Sequence, residues 1–225
     1  MKHNLLSRRL QAAADLVRKD TYLADVGTDH AYVPIALCQS GHVRCAVATD
    51  IHEGPVRIAR QNVSAHGLCD RISVLHTDGL HGTEALGVRD VLICGMGGDL
   101  IMRILDEAPF TKSLEVRLIL QPMTHADRLR RYLTAKGFRL VDEVLVEEDR
   151  IYTVLCAVYD GQARTLSDAE AILGPCNLQK KTPELYKLAE FIREVYLVRR
   201  EGKRCAGTAT SHEDAIIQFM EELLS

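Results

Sequence analysis

Apolar positions along the chain follow two rhythms that alternate. Leu5, Leu6, Leu10, Ala13, Ala14 and Val17 recur at helical spacing, with Arg8, Arg9 and Asp15 on the other side. Short continuous apolar runs follow at Tyr22–Val26, Arg44–Thr49, Ile72–Leu75, Asp90–Cys94 and Val116–Leu120, and these read as buried strands. Helical patterns separate them at Ala31–Gln39, at Gly54–His66, from Gly98 to about Glu107, and at Thr124–Lys136. Pro55 and Gly67 bracket the second of these, and Thr124 and Gly137 are expected as N-cap and stop of the last. The rhythm then changes. Arg139–Glu147 and Ile151–Tyr159 are joined only by Glu148, Asp149 and Arg150, a link too short for a crossover helix, so the pair is an antiparallel hairpin.

Beyond about Gly161 the pattern is purely helical. Thr182, as N-cap, and Pro183 open a helix with Leu185, Leu188, Ile192 and Val195 on one stripe. Cys205–Thr210 breaks it. Ser211, with Asp214 three residues on, opens another carrying Ile217, Met220 and Leu224. The stripes are narrow, so the two helices are expected to pack on each other as a hairpin of coiled-coil type. Five β-then-α units followed by a β-hairpin fit an α/β fold of the class I methyltransferase kind: a Rossmann-like seven-stranded sheet with an antiparallel last strand. The expected division is residues 1–162 for this domain and 163–225 for the helical one. A dinucleotide dehydrogenase would instead continue with a sixth parallel strand.

Composition narrows the possibilities. Trp is absent and aromatics are 5% of 225 residues, so the core must be aliphatic. A net charge of −3 means that any nucleic-acid contact has to come from a local basic face. Seven scattered Cys without C-x-x-C spacing argue against a zinc site and a disulfide framework, and no metal is expected. No stretch reaches membrane-span length and the first ten residues hold no apolar signal core, so the expectation is a cytoplasmic protein with no membrane association.

The chemistry begins in the turn LADVGTDHAY, residues 23–32. A single Gly27 fails the G-x-G-x-x-G dinucleotide pattern, and a pyrophosphate would lie beside Asp25 and Asp29, which is unfavourable. A ligand without phosphates that carries ammonium and sulfonium charges suits the loop better, and S-adenosylmethionine is such a ligand. Taken alone, Asp29 could equally cap the following helix. The other strand ends favour the ligand. Asp50 can take ribose hydroxyls, Asp78 with Gly79 can receive an adenine amino group beside an open space, and Gly95-Met96-Gly97-Gly98 follow the fourth strand.

The motifs LSRRL (6–10), DVGTDHAYVPI (25–35), ATDI (48–51), TDGL (77–80), ICGMGG (93–98) and LILQP (118–122) together resemble the bacterial tRNA adenine-N1 methyltransferases of the TrmK type. The likeness covers about Leu5 to Asp160 by motif and the helical tail by architecture. It implies methylation of N1 of adenosine 22 in the tRNA D-arm from S-adenosylmethionine, on motifs that all stand in this chain. Asp25 and Gly27 would line the methionine end of the cofactor, Asp50 and Ile51 the ribose and adenine, and Asp78 and Gly79 the adenine edge. Gly95 would border the cofactor. Met96, Gly97, Gln121 and Pro122 would border the target base. Met123 stands where relatives often carry Asn, so no polar role is expected there.

Adenine N1 has its own lone pair, so the site must chiefly align the reactants and tolerate the charge that appears on the ring. Asp29 is the first candidate for that carboxylate and His30 the second, although His30 reads equally well as a local bond that holds the turn. His125, Asp99 and Asp90 are weaker candidates. For tRNA, positive charge gathers at Arg8, Arg9, Arg18 and Lys19, at Arg128, Arg130 and Arg131, and along Lys180–Arg204, with a solvated face as the competing reading for Arg128–Arg131. The target base has to leave its stack. No protein partner is implied, and a monomer or weak dimer is expected. A class I methyltransferase acting on another RNA, a small molecule or a protein, and a non-catalytic nucleic-acid-binding module, are the competing functions.

Overall fold

The computed structural model describes residues 6–225, so Leu5 of the first helical pattern lies outside the described residues. Helix α1 (Arg8–Asp15) precedes β1 (Tyr22–Val26), α2 (Tyr32–Gln39), β2 (Cys45–Asp50), α3 (Glu53–Ala65), β3 (Ile72–His76), β4 (Asp90–Gly97), α4 (Gly98–Asp106), β5 (Arg117–Thr124) and α5 (Ala126–Ala135). The hairpin β6 (Phe138–Glu147) and β7 (Ile151–Tyr159) follows, then α6 (Asp168–Leu173), α7 (Pro175–Lys180), α8 (Pro183–Cys205) and α9 (Ser211–Leu224). One seven-stranded sheet has the order β3-β2-β1-β4-β5-β7-β6. The first five strands are parallel, and β7 inserts antiparallel between β5 and β6. The strand order reverses between β1 and β4, and in such sheets ligands bind in the crevice outside the carboxyl ends at that point.

Strand alternation divides the core between the two sheet faces. Leu23, Leu92, Ile119 and Val154 pack with Ala13, Ile35 and Val63 of α1, α2 and α3. Ala24, Val91, Ile93, Leu118 and Leu120 pack with Ile101 and Ile104 of α4 and Leu129 and Leu133 of α5. The two tail helices form the expected hairpin, joining Leu185, Ala189 and Tyr196 to Ile216, Ile217 and Met220. Leu145 of β6 and Leu173 of α6 belong to the same cluster, so the hairpin is rooted on the sheet rather than packed on itself alone.

Several local expectations need correction. Thr124 is the last residue of β5, and His125, in the left-handed region at φ 56°, occupies the N-cap position of α5 with no side-chain cap bond. Strands β4 and β5 run on together past Cys94 and Leu120 because a bulge around Gly95 shifts the register between Cys94, Met96 and Gly97. Thr182 sits at the N-cap of α8 but makes no cap bond. Thr210, not Ser211, precedes α9, and its hydroxyl donates to Asp214 at 2.8 Å. Two short helices, α6 and α7, lie between sheet and hairpin. A capping box of Ser167 and Glu170 starts α6.

The basic run on α5 is mostly structural. Arg130 is 1% exposed and donates to Glu143 at 2.6 Å and to the carbonyls of Ala171 and Ile172 at 2.8 and 3.0 Å. The other carboxylate oxygen of Glu143 accepts from the Cys176 amide at 2.9 Å, so the pair ties α5, β6, α6 and α7 together. Gly174 makes this possible: a Cβ there would lie 2.4 Å from Glu143 Oε2. Arg131 is held by the Leu166 carbonyl and Asp168, and Arg128 by Asp99. Arg18 and the buried Asp90 form a brace at the opposite, amino-terminal end of β4, which removes both from the site.

Candidate active site

The carboxyl ends of β3, β2, β1, β4 and β5 set Asp78, Asp50, Gly27, Gly95 and Gln121 in spatial sequence along one sheet edge. At the switch point between β1 and β4 lies a cavity of about 280 Å³. Asp25, Gly27, Asp29 and His30 line it from the first turn, and Cys94 and Gly95 line it from β4. Arg9 of α1 closes it on the far side.

Asp25 is 6% exposed and accepts from the Thr28 hydroxyl. Burial raises its carboxyl to about 6, the Thr28 bond works against that rise, and the charge of Asp50 adds to it. Gly27 has φ +71°, and a Cβ there would lie 2.2 Å from the terminal methyl of Met96. The bare backbone of the cofactor turn therefore receives the side chain expected on the base side. Burial beside Asp25 also pushes the Cys94 thiol far upward, so it stays protonated.

Asp29 and Ala31 both adopt the left-handed conformation, at φ 49° and 58°. Residues without a glycine's freedom are held there only when their surroundings demand it, and such strain gathers at functional sites. The N-cap position of α2 is Ala31 and no side chain caps the helix, so Asp29 is not a cap. Its side chain is 70% exposed, with one oxygen 2.9 Å from His30 Nδ1. That approach is close but lies off hydrogen-bond geometry. The His30 ring also sits 5.1 Å from the Tyr32 ring, and its carbonyl accepts from Asn62 at 2.9 Å.

Asp50, Ile51, Asp78 and Gly79 do not line this cavity; they stand at and after the carboxyl ends of β2 and β3. Asp50 accepts from the His52 amide at 2.8 Å, and Ile51 is 51% exposed. Asp78 takes two bonds from Arg103 at 3.1 and 3.2 Å, and that contact lowers its carboxyl. The space expected beside Gly79 is filled by Ile104, 3.1 Å from where a Cβ would stand.

Gln121 behaves differently from the expectation that it borders a base. It is fully buried, and its Oε1 accepts from both the Gly95 amide and Arg9 Nη1 at 3.0 Å. It is a brace that fixes the β4 bulge to α1. Arg9 is further held by Glu148 and by the ring of Tyr152, 5.3 Å away, which fixes its guanidinium at the rim of the cavity that Arg9 helps to line. Arg8 instead reaches the Glu147 carbonyl at 3.4 Å. Past Pro122, His125 Nδ1 meets Asp99 at 2.9 Å.

Residues 6–155 match the family described as a methyltransferase domain. The tRNA (adenine(22)-N(1))-methyltransferase of Bacillus subtilis is 35% identical over 190 residues, 81% of this chain and 79% of the relative. The chain belongs to the tRNA (adenine(22)-N(1))-methyltransferase family. Solved members share the whole architecture of this one. The crystal structure of the B. subtilis tRNA methyltransferase TrmK has a TM-score of 0.84 at 29% identity, covering 98% of this chain and 99% of that one. The Streptococcus pneumoniae protein Sp1610 in complex with S-adenosyl-L-methionine has a TM-score of 0.85 at 34% identity, covering 98% and 100%.

For a member of a tRNA methyltransferase family, the balance of charge on the tail is informative. Lys180 is held by Asp142, Lys187 by Glu147, Arg193 by Glu194, Arg200 by Asp214 and Lys203 by Glu213, so most cations gathered there by sequence are already paired. Among the described residues, Lys19, Lys181, Arg199 and Arg204 have no acidic partner within ion-pair distance. No group of three or more His, Cys, Asp or Glu among them stands close enough to hold a metal ion, and no helix is long and apolar enough to cross a membrane.

Proposed function

We propose that this chain transfers a methyl group from S-adenosylmethionine to N1 of adenosine 22 in the D-arm of bacterial tRNA; its Bacillus subtilis relative is named a tRNA (adenine(22)-N(1))-methyltransferase. The observation that carries the reading is the charge composition of the switch-point cavity: its lining joins the buried carboxylate Asp25 and the exposed carboxylate Asp29 to one arginine, Arg9. That donor set fits a zwitterionic amino acid bearing a sulfonium and would repel a pyrophosphate. When bound, S-adenosylmethionine supplies the electrophilic methyl group. Asp25 and Gly27 would hold its ammonium and sulfonium end, and Arg9 its carboxylate. Asp50 would take the ribose hydroxyls, Ile51 would pack on the adenine, and Asp78 and Gly79 would hold the adenine edge.

Adenine N1 needs no base to become a nucleophile. The protein's task is to place it and to offset the charge that the ring acquires. Asp29, an exposed carboxylate on a strained turn beside the cavity, would supply that charge, with His30 next to it as the second candidate. Met96, Gly97 and Pro122 would flank the target base, and Gln121 would keep the Gly95 bulge in place behind them. Within this reading, 1–162 does the chemistry, and 163–225, rooted on β6 through Leu145, presents the helical hairpin to tRNA. The working place of such an enzyme is the cytoplasm. Incubation with methyl-labelled cofactor and unmodified tRNA, followed by nuclease digestion, is expected to yield labelled N1-methyladenosine. Label on protein or on small molecules, with cofactor binding intact, refutes the reading.

A further inference from the structure

A second and larger cavity, about 750 Å³, lies between the ends of β5 and β7 and the inner face of α8. It falls within the range of about 300–1,000 Å³ typical of small-ligand pockets. One mouth is formed by Pro122, Met123, Thr124 and His125, which places it against the base side of the proposed active site. Tyr152 adjoins both cavities: Arg9 of the first stands 5.3 Å from its ring, and Arg150 of the second stands 4.7 Å from the same ring. Met123 links them again, its sulfur 3.3 Å from Arg9 and its carbonyl 3.0 Å from Arg150.

The far wall belongs to α8. Phe191 is 63% exposed there, an unusual solvent-facing position for a large aromatic side chain. Arg199 lies over the ring of Tyr196 at 5.0 Å and has no carboxylate partner. Two carboxylates also line the cavity, Asp127 and Asp149, the second held ionised by the Tyr152 hydroxyl. A bare phosphate would meet these anions at close range. A nucleobase suits the whole set: its faces stack on an aromatic ring or a guanidinium plane, and its amino groups donate to carboxylates.

Resting on the reading of the chain as a tRNA methyltransferase, we propose that this cleft holds an unpaired nucleobase of the RNA substrate next to the methylated adenine, stacked on Phe191 with its edge toward Arg199. The hairpin then does more than attract phosphates. Ejecting one base from a stack leaves its neighbour without a partner face, and a stacking platform beside the proposed active site replaces it. It also accounts for a tail whose lysines are mostly paired: recognition there relies on ring faces more than on net charge.

The test uses the full chain and tRNA transcripts carrying 2-aminopurine singly at the unpaired D-arm positions near adenosine 22. Wild-type protein is first shown to form N1-methyladenosine on unlabelled tRNA, so that a failure of the functional reading is seen separately. One labelled position is expected to lose fluorescence on binding. Phe191→Ala, at an exposed position that asks nothing of the core, is expected to abolish that change and to raise KM for tRNA on the order of tenfold, with the dissociation constant for S-adenosylmethionine unmoved. Arg199→Ala is expected to act in the same direction. The inference is overturned if no position responds, or if Phe191→Ala leaves KM for tRNA unchanged while Arg199→Ala merely flattens the salt dependence. It is equally overturned if Phe191→Ala alters self-association in sedimentation without touching tRNA.

Discussion

If the cofactor's amino-acid end lies against Asp25, as proposed, that buried carboxyl gives cofactor binding a pH dependence whose sign and size follow from its surroundings. Burial holds it at about 6 in the free protein, against an ordinary 3.8. At pH 7 roughly nine molecules in ten carry the carboxylate and at pH 5 roughly one in ten. Apparent affinity scales with the competent fraction, so the dissociation constant for S-adenosylmethionine is expected to rise about tenfold between pH 7 and pH 5. The ligand changes little over that span, because α-amino groups titrate near 8 and α-carboxyls below 4. The rise in the carboxyl also acts on folding. The unfolded chain releases this proton near 3.8 and the folded chain near 6, so the folded state binds more protons in between. Stability of the free protein therefore falls as pH climbs from about 4 to 6, by about 3 kcal/mol in all. Isothermal titration at half-unit steps measures the binding arm. Asp25→Asn should bind weakly with a flat profile, while His30→Gln, at another residue that lines the cavity, should keep the slope. A flat wild-type profile, or an unchanged slope in Asp25→Asn, refutes the assignment.

Other expectations can be checked with single variants. Glu143→Gln leaves Arg130 charged and sealed from water, and denaturant unfolding is expected to show a loss of about 3–5 kcal/mol; a loss under 1 kcal/mol would mean that the pair does not bind the tail helices to the sheet. Arg9→Gln should remove the preference for S-adenosylmethionine over its decarboxylated analogue, read as a ratio of dissociation constants. If that ratio holds and only KM for tRNA rises, Arg9 serves RNA, as its place in the sequence first suggests. Asp29→Asn should lower kcat by at least tenfold while cofactor affinity stays within about twofold, since removing a transition-state charge stabiliser shows in turnover and not in ground-state binding. Equal losses in both would make it a binding residue.

The parallel strands are legible because each is a short apolar run, three of them ended directly by Asp or Gly, and the antiparallel last strand because three residues cannot carry a crossover. The extensions of β4 and β5 are not. Gly95, Met96 and Gly97 look like loop, and only pairing with Pro122 and Thr124 keeps them in the sheet. Helices α6 and α7 are too short for a periodic signal. The basic clusters mislead for a different reason: Asp142, Glu147, Asp99 and Asp168 neutralise them from other elements, and such long-range partners leave no trace in local charge counts. Arg9 and Gln121 show the same limit at the site. One resembles an RNA contact and the other a base contact, yet the fold bonds the two together behind the Gly95 bulge beside the switch-point cavity. Asp29 needed the backbone to show that it does not cap α2.

The most direct test of the central claim is positional. A bacterial tRNA transcript with adenosine at position 22 and its twin with guanosine there are incubated with the protein and S-adenosylmethionine, and methylation is mapped by reverse transcription, which N1-methyladenosine arrests. The account predicts a cofactor-dependent arrest at position 22 of the first transcript and none in the second. Arrest elsewhere, or equal label in both transcripts, contradicts it.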